Sequence, residues 1–590
     1  MADCTLKDPT GTLPESTADL LDLLSSVKAR FEPADRQIKA ASLQILAGRE
    51  IREVRSLILF HEILCFLRAY PDSPEILRWV ENSLKEFPAR VDRVKAGGPA
   101  ADLKQLQDTG IAHTTVYYAY PYPMATWLVE KFPDAVEIDW EDADGIDKIR
   151  SMLPLLAVYA ENDALDDESL SLREWIRTAK AGRVVSDLQW LLETLDASPL
   201  PPAILRHLYD SAELLLGWEL RDAAASRTLA RHPTDRIFSH HGPLMRGPID
   251  FRAEIQKPLP AVKPLSRKTA ESLIHLFKSA LSARNRELYP LLHANPLDVF
   301  LADAERGIQI ALVGVLPEFR LPLEAYYSFL VLKNGVPVSY GGGGPLLDRL
   351  EIAGNIFETF RQGESVHTFV QVFRAYRELC GSRYFLIPRY QVGYENEEAL
   401  QSGAFWFYRK LGFRPVQPKV LALSEGEQRK IKADSAYRSP RKTLVRLAQS
   451  DMVLTLEGDG RDPPRDLPQG NIGLLVTRQV ADRFNGNRTV AIREATRHVA
   501  RVLRIPGWRA WPAPQQFAME RLAPILALIP DLDHWTAAEK RALVRVIRAK
   551  GAQRQAAYIR LLTGHTRLAR SLYDLADSVK PRTAHSRRSS

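Results

Sequence analysis

The sequence predicts an α/β protein. A central mixed sheet is flanked by helices, with a mainly helical N-terminal region (some strands) before it and a basic helical region after it. Three observations carry this. Residues 18–95 place Leu20, Leu21, Leu23, Leu24, Leu43, Leu46, Ile51, Val54, Leu57 and Ile58 at helical spacing. Ile308–Val315 is apolar without a break, which suits a buried strand. Lys333-Asn334-Gly335 lies between the apolar runs Tyr326–Leu332 and Val336–Tyr340. Asn-Gly in that position signals a hairpin, because both central residues must take positive φ.

With 590 residues the chain is long enough for about three or four domains. Its hydrophobic share of 45% and charged share of 26% are those of globular protein, so most of it should fold around real cores. The greasiest stretch, Leu57–Tyr70, is interrupted by His61, Glu62 and Arg68, so no membrane span is expected. MADCTLKDPTG has no basic segment followed by an apolar one, and the expected location is cytoplasmic. Cys4, Cys65 and Cys380 have no zinc spacing and form no disulfide framework, so buried, inert thiols are expected. Charge is uneven: residues 431–590 hold 29 Lys and Arg against 14 Asp and Glu, and residues 1–430 hold 51 against 58. Such asymmetry fits an acidic or nucleic-acid partner, and equally fits attraction between two parts of one chain.

The N-terminal region, 1–246, also carries two strand-like segments, Thr114–Tyr120 and Ala135–Trp140, and helical ones at Asp187–Leu195 and Pro202–Trp218. Its acidic clusters, Glu137–Asp147 and Glu161–Glu168, read as solvated loop carboxylates, and no metal is expected. Ser239-His-His-Gly242 beside Arg236 and Arg246 lacks a third metal ligand. Prolines then mark 247–265 as a linker. The central domain, 266–425, opens with a helix at Ser266–Arg284, followed by the strand and hairpin above. A strand at Leu350–Thr359 contains Gly354, a bulge candidate. After the polar loop Phe360-Arg-Gln-Gly-Glu-Ser365 comes a helix, Val366–Cys380, and then a strand, Tyr384–Pro388, whose proline ends or splays the pairing. A long loop leads to SGAFWFYRKLGF, a helix closed by Gly412 in left-handed conformation. Residues 426–470 read as a second linker, 471–582 as a basic helical domain and 583–590 as a disordered tail.

Two segments point to chemistry. A glycine before a helix N-terminus lets the backbone approach a pyrophosphate, whose charge the unpaired N–H groups favour. Arg361, Gln362, Gly363, Glu364, Ser365 and Val366 form such a segment, although an ordinary helix start capped by Ser365 has the same pattern. Ala404-Phe-Trp-Phe-Tyr408-Arg-Lys-Leu-Gly412-Phe413 is the other. With the element order around them, these residues resemble the GNAT superfamily of acyl-CoA N-acyltransferases over about residues 270–425, a quarter of the chain. The resemblance implies an N-acyltransferase that moves an acyl group from acetyl-CoA or another acyl-CoA to an amine, with the loop at 361–366 on the CoA pyrophosphate. It implies that Tyr408 protonates the departing thiolate and that two parallel strands splay to admit the pantetheine arm. A strand N–H at Phe357–Thr359 then polarises the thioester carbonyl.

The chain departs from the family pattern in two places. Aligned on Gly363, the first loop position is Phe360 and the last Ser365, with Arg361 one place late. Where the family often has an Asn seven residues before the tyrosine stands Gln401, and the nearest Asn is Asn396; either is a candidate for the pantetheine amide. Glu358 and His367 are candidates for the general base, against the plainer readings of a solvated carboxylate and a packed imidazole. Two other functions stay open. One is an inactive module of the same fold serving as an interaction protein. The other is transfer from aminoacyl-tRNA or an acyl-carrier protein, with a polyanion bound by residues 471–582. There Arg493, Arg497 and Arg501, and Arg541, Arg545 and Arg548, recur along helix faces.

Overall fold

Twelve strands form two sheets in the computed structural model. It describes residues 13–579 apart from Glu168, Pro248, Ser435 and 458–464. Cys4 and the chain start, Glu168, Pro248, residues 458–464 of the second expected linker and the 583–590 tail therefore lie outside the described residues. The strands are β1 Thr115–Tyr118, β2 Val136–Ile138, β3 Leu216–Glu219, β4 Ala261–Pro264, β5 Ala294–Asp303, β6 Ile308–Val315, β7 Tyr327–Lys333, β8 Val336–Leu346, β9 Arg349–Ile356, β10 Tyr384–Ile387, β11 Arg414–Pro415 and β12 Met452–Thr455. The chain is thus mixed α/β, with a multi-strand sheet flanked by helices.

β1, β3 and β2 make a small antiparallel sheet in that order. β3 lies inside a segment that reads as one helix from Pro202 to Trp218. The helix stops at Ala212, Glu213 turns left-handed, and β3 completes the sheet. This sheet has its own core, with Val116, Val136, Ile138, Leu216 and Trp218 at its centre.

The large sheet has nine strands in the order β11-β12-β10-β9-β8-β7-β6-β5-β4. Among the described strands only β9 and β10 run parallel, and the helix Ser365–Cys380 between them supplies the crossover that a parallel pair needs. The hairpin β7–β8 turns on Asn334 and Gly335, at φ 51° and 81°. The turn is buried, and this explains the choice of Asn. Its amide nitrogen donates to the carbonyls of Ala69 and Phe238, and its oxygen accepts the Phe238 N–H. Gly354 is not a bulge. β8 and β9 pair in unbroken register through it, and the irregularities fall between β7 and β8 and between β5 and β6. A glycine is needed there because a Cβ would meet the Phe329 ring at 2.7 Å.

Both expected linkers contribute strands. Segment 247–265 holds the helix Phe251–Gln256 and the edge strand β4, and 426–470 holds the helix Arg441–Leu447 and β12. Local proline content does mark chain breaks. The strands form because Val262, Met452, Val453 and Leu454 find partners far away in sequence.

The N-terminal helices Thr17–Val27, Pro33–Gly48, Val54–Ala69, Pro74–Lys85 and Phe87–Gly97 gather round Val54–Ala69, most of whose residues are buried. That helix packs against β8 and the turn Glu358–Phe360. Its neighbour, the pair Lys39–Asp72, is fully buried at 2.7 Å. On the other side, the helices from Gln469 to Asp577 dock on the loops of β5–β7. Arg320 donates to the carbonyls of Lys550, Ala552 and Gln553, and Asp298 accepts the Gln555 N–H. One continuous core runs from Leu20 to Ala576. Cys65 and Cys380 are buried free thiols, and burial pushes that of Cys65 up to about 12. Among the described residues, no helix is long and apolar enough to cross a membrane.

Candidate active site

β9 and β10 part company early. β9 stays paired with β8 along its whole length, but it meets β10 at three positions only, Arg349–Tyr384, Leu350–Phe385 and Glu351–Leu386. β10 then ends at Ile387, and Pro388, lacking an N–H, turns the chain into Arg389–Val392. From Ile352 to Ile356 the edge of β9 that faced β10 has no strand partner among the described residues. The divergence comes from β10 stopping, without help from a bulge.

A cavity of about 140 Å³ lies at the C-terminal end of β9. Tyr340, Asn355, Ile356, Phe357, Glu358, Thr359 and Arg361 line it from the sheet side, Asp108 and Arg227 from the N-terminal region, and Arg284 and Arg286 from the segment between β4 and β5. Arg227 pairs with Glu62 and donates to Thr359 and to the Thr109 carbonyl, while its Nε is buried without an acceptor among the described residues. Arg361 pairs with Glu398 at 3.0 Å and Glu358 at 3.6 Å. Arg284 differs. Its guanidinium lies 4.1 Å over the Phe357 ring, one nitrogen reaches the Ala280 carbonyl, and Nε is buried without an acceptor. Burial, with Arg227 close by, pulls its pKa down to about 9.

The sequence-predicted residues scatter over four settings. Glu358 and Arg361 share the cavity wall. Gln362, Gly363 and Glu364 face the N-terminal region. Arg246 donates to the carbonyls of Gln362 and Gly363, and a Cβ at Gly363 would strike the Tyr70 hydroxyl. Glu364 is wholly buried, paired with Lys333 at 2.9 Å and Arg306 at 2.7 Å, and accepts the Met245 N–H. Burial raises its carboxyl, but the Lys333 ammonium and these donors outweigh burial and hold it down to about 2. Ser365 is not the helix cap. Glu364 occupies that position, and the Ser365 hydroxyl bonds back to the Arg361 carbonyl. Val366 is half-buried in the first turn. His367 is buried, with both ring nitrogens unpartnered and its pKa lowered by burial, and it does not line the cavity.

Asn396 caps the helix Glu397–Gln401 by accepting the Ala399 N–H, and Gln401 is exposed beside Glu397. Tyr408 sits in the helix Ala404–Lys410, which packs on the turn after β10. Its ring lies 6.0 Å from Phe369, 5.3 Å from Phe407 and 5.8 Å from Phe413. The crowded aromatics therefore pack on the helix after the polar loop. Burial raises the Tyr408 phenol, which has no hydrogen-bond partner among the described residues. Gly412, at φ 97°, ends the helix as the sequence predicts.

Sequence reasoning missed the residues that join this site to the N-terminal region. Glu62, Arg227 and Arg284 stand far from the motifs, and only folding brings them to β9. His240, from the paired-histidine motif, is a packing residue between Phe31, Tyr70 and Phe238. A recess of about 330 Å³ beside Asp250, Lys410 and Val453 is lined by Gly412 of the Tyr408 segment but by none of the candidate catalytic or binding residues. No group of three or more His, Cys, Asp or Glu that could hold a metal ion occurs among the described residues. Set against known proteins, the chain matches no family model, no curated protein and no solved structure.

Proposed function

We propose that the chain transfers an acyl group to an amine, with the donor seated in the gap between β9 and β10. The observation that carries this reading is the early parting of the sheet's one parallel pair, at which β9 keeps an open edge and Pro388 prevents closure. The order β9, helix, β10, helix ending Tyr408-x-x-x-Gly412-Phe413, with β12 inserted between β10 and β11, supports a GNAT-like arrangement. In the proposed step the amine nitrogen attacks the thioester carbonyl carbon, the C–S bond breaks and the thiolate leaves. Glu358 takes the amine proton. Tyr408, kept neutral by its apolar surroundings, donates a hydrogen bond to the sulfur.

Glu364 favours a second reading of the donor. Its buried carboxylate and the Tyr70 ring occupy the space in front of the loop that the family uses for pyrophosphate. A donor gripped elsewhere, on aminoacyl-tRNA or an acyl-carrier protein, fits this better than CoA does. Calorimetry of the full chain with acetyl-CoA separates the two. Saturable binding selects CoA; no heat at high micromolar ligand removes it. An assay of thiol release over a panel of amines then tests transfer itself, and no release with any donor class would retire the reading.

A further inference from the structure

We propose that the cavity at the end of β9 is an oxyanion site, with Arg284 and Arg286 as its cationic groups, and that it seats a carboxylate or phosphate carried by the acceptor amine. Assignment to the acceptor rests on the acyl-transfer reading; the oxyanion site itself does not.

Four arginines meet four carboxylates around the cavity, but two of the arginines stand outside every ion pair among the described residues. Arg227 and Arg361 are matched by Glu62, Glu358 and Glu398. Asp108 accepts the Tyr117 N–H and forms no ion pair with the remaining arginines. Arg284 and Arg286 have no carboxylate partner among the described residues. For Arg286, exposed at the rim, water suffices. Arg284 is half-buried, and its Nε, like that of Arg227, is out of water and without an acceptor among the described residues. A buried donor with no acceptor is rare in folded protein and costly to keep. The Phe357 face compensates only in part. An oxyanion is the ligand that a guanidinium's forked donors match.

Size narrows the class. With water taking about 30 Å³ each in the liquid, a cavity of about 140 Å³ has room for an oxyanion and a few further heavy atoms. A polyphosphate or a peptide segment would not fit. Tyr340 and Asn355 add neutral polar groups, and Glu358 stands on the same wall to receive a proton. Amino acids and small amino-phosphates have this combination of an acidic end and a nearby amine.

The test is calorimetry of the full chain with sodium phosphate and, separately, with succinate, at low ionic strength and with no acyl donor present. The expected result is saturable binding of at least one anion, weakened about tenfold or more by Arg284→Gln and by Arg286→Gln. Arg545→Gln, on an exposed face elsewhere, should bind as wild type does. The stronger arm identifies phosphate or carboxylate. Arg286 is exposed, so its variant folds and decides the matter even if Arg284→Gln does not. No binding of either anion at about 10 mM, or wild-type binding by Arg286→Gln, overturns the site. A failed acetyl-CoA titration leaves this result untouched, so the two readings fail separately. In the transfer assay an acceptor amino acid should outrun its amide, and Arg286→Gln should erase the difference. Equal rates for acid and amide would detach the site from the acceptor.

Discussion

Glu364 shows how one residue changes meaning between chain and fold. In sequence it is a negative charge placed awkwardly in a phosphate-binding loop. In the structure it joins Lys333, Arg306 and the Met245 N–H at a buried junction. Breaking a buried pair from one side costs about 3–5 kcal/mol, so Glu364→Gln should lower urea stability by that order at pH 7. The sign with pH follows from a folded pKa of about 2, below the ordinary carboxylate value. The carboxylate's contribution is fully present above the unfolded pKa and is lost as pH falls through the folded one. The gap between wild type and variant should therefore narrow from about pH 4.5 toward pH 2. A gap unchanged at pH 3 would mean the charge is not what stabilises the junction. Tyr408 carries the other prediction at this scale. Tyr408→Phe should reduce turnover about tenfold, the low end for acid catalysis, with the melting temperature nearly unchanged. Undiminished turnover removes the phenol from the mechanism.

Among the elements, β7 and the start of β8 were legible because apolar runs and turn chemistry are local signals, and Asn334-Gly335 is among the strongest of them. The bulge expected at Gly354 was not there, for a reason that no local pattern contains. The Phe329 ring lies against Gly341 and Gly354 from the neighbouring strand, and both positions must lack a side chain. At Gly341 a Cβ would fall 2.2 Å from the Ala353 carbonyl oxygen, which is backbone and cannot swing aside. Gly341→Ala should then cost about 1–3 kcal/mol by overpacking, measured by chemical denaturation. A neutral substitution would show that the β8–β9 pair has slack. β5, β4 and β12 escaped the sequence reading because their stability comes from strands distant in the chain, and prolines within or beside them read as breaks.

For the whole molecule, charge asymmetry is a weaker guide than packing. The C-terminal helices hold to the sheet largely through arginines on backbone carbonyls and through apolar contact. Arg320 on three carbonyls and Tyr558 on the Leu323 carbonyl are the clearest cases. The stripes at Arg493, Arg497 and Arg501 and at Arg541, Arg545 and Arg548 face outward. A charged hydrogen bond contributes about 1.5–3 kcal/mol net, so Arg320→Ala should cost about 2–4 kcal/mol. Because Arg320 clamps one end of that helical layer, hydrogen exchange should rise first at residues 537–577. Uniform exchange across the chain would indicate that the apolar contact alone holds the layer in place.

The sequence by itself determined the helical ends, the hairpin on Asn334 and Gly335, the proline that stops β10 and the glycine that ends the Tyr408 helix. These are effects of one residue on its own backbone, and neighbours in sequence suffice to cause them. Tertiary structure decided that Glu364 is buried, that the expected linkers complete the sheet, and that Arg284 arrives at β9 without an ion pair. Each of these depends on a partner dozens to hundreds of residues away, and burial and ion pairing act across space whatever the distance along the chain.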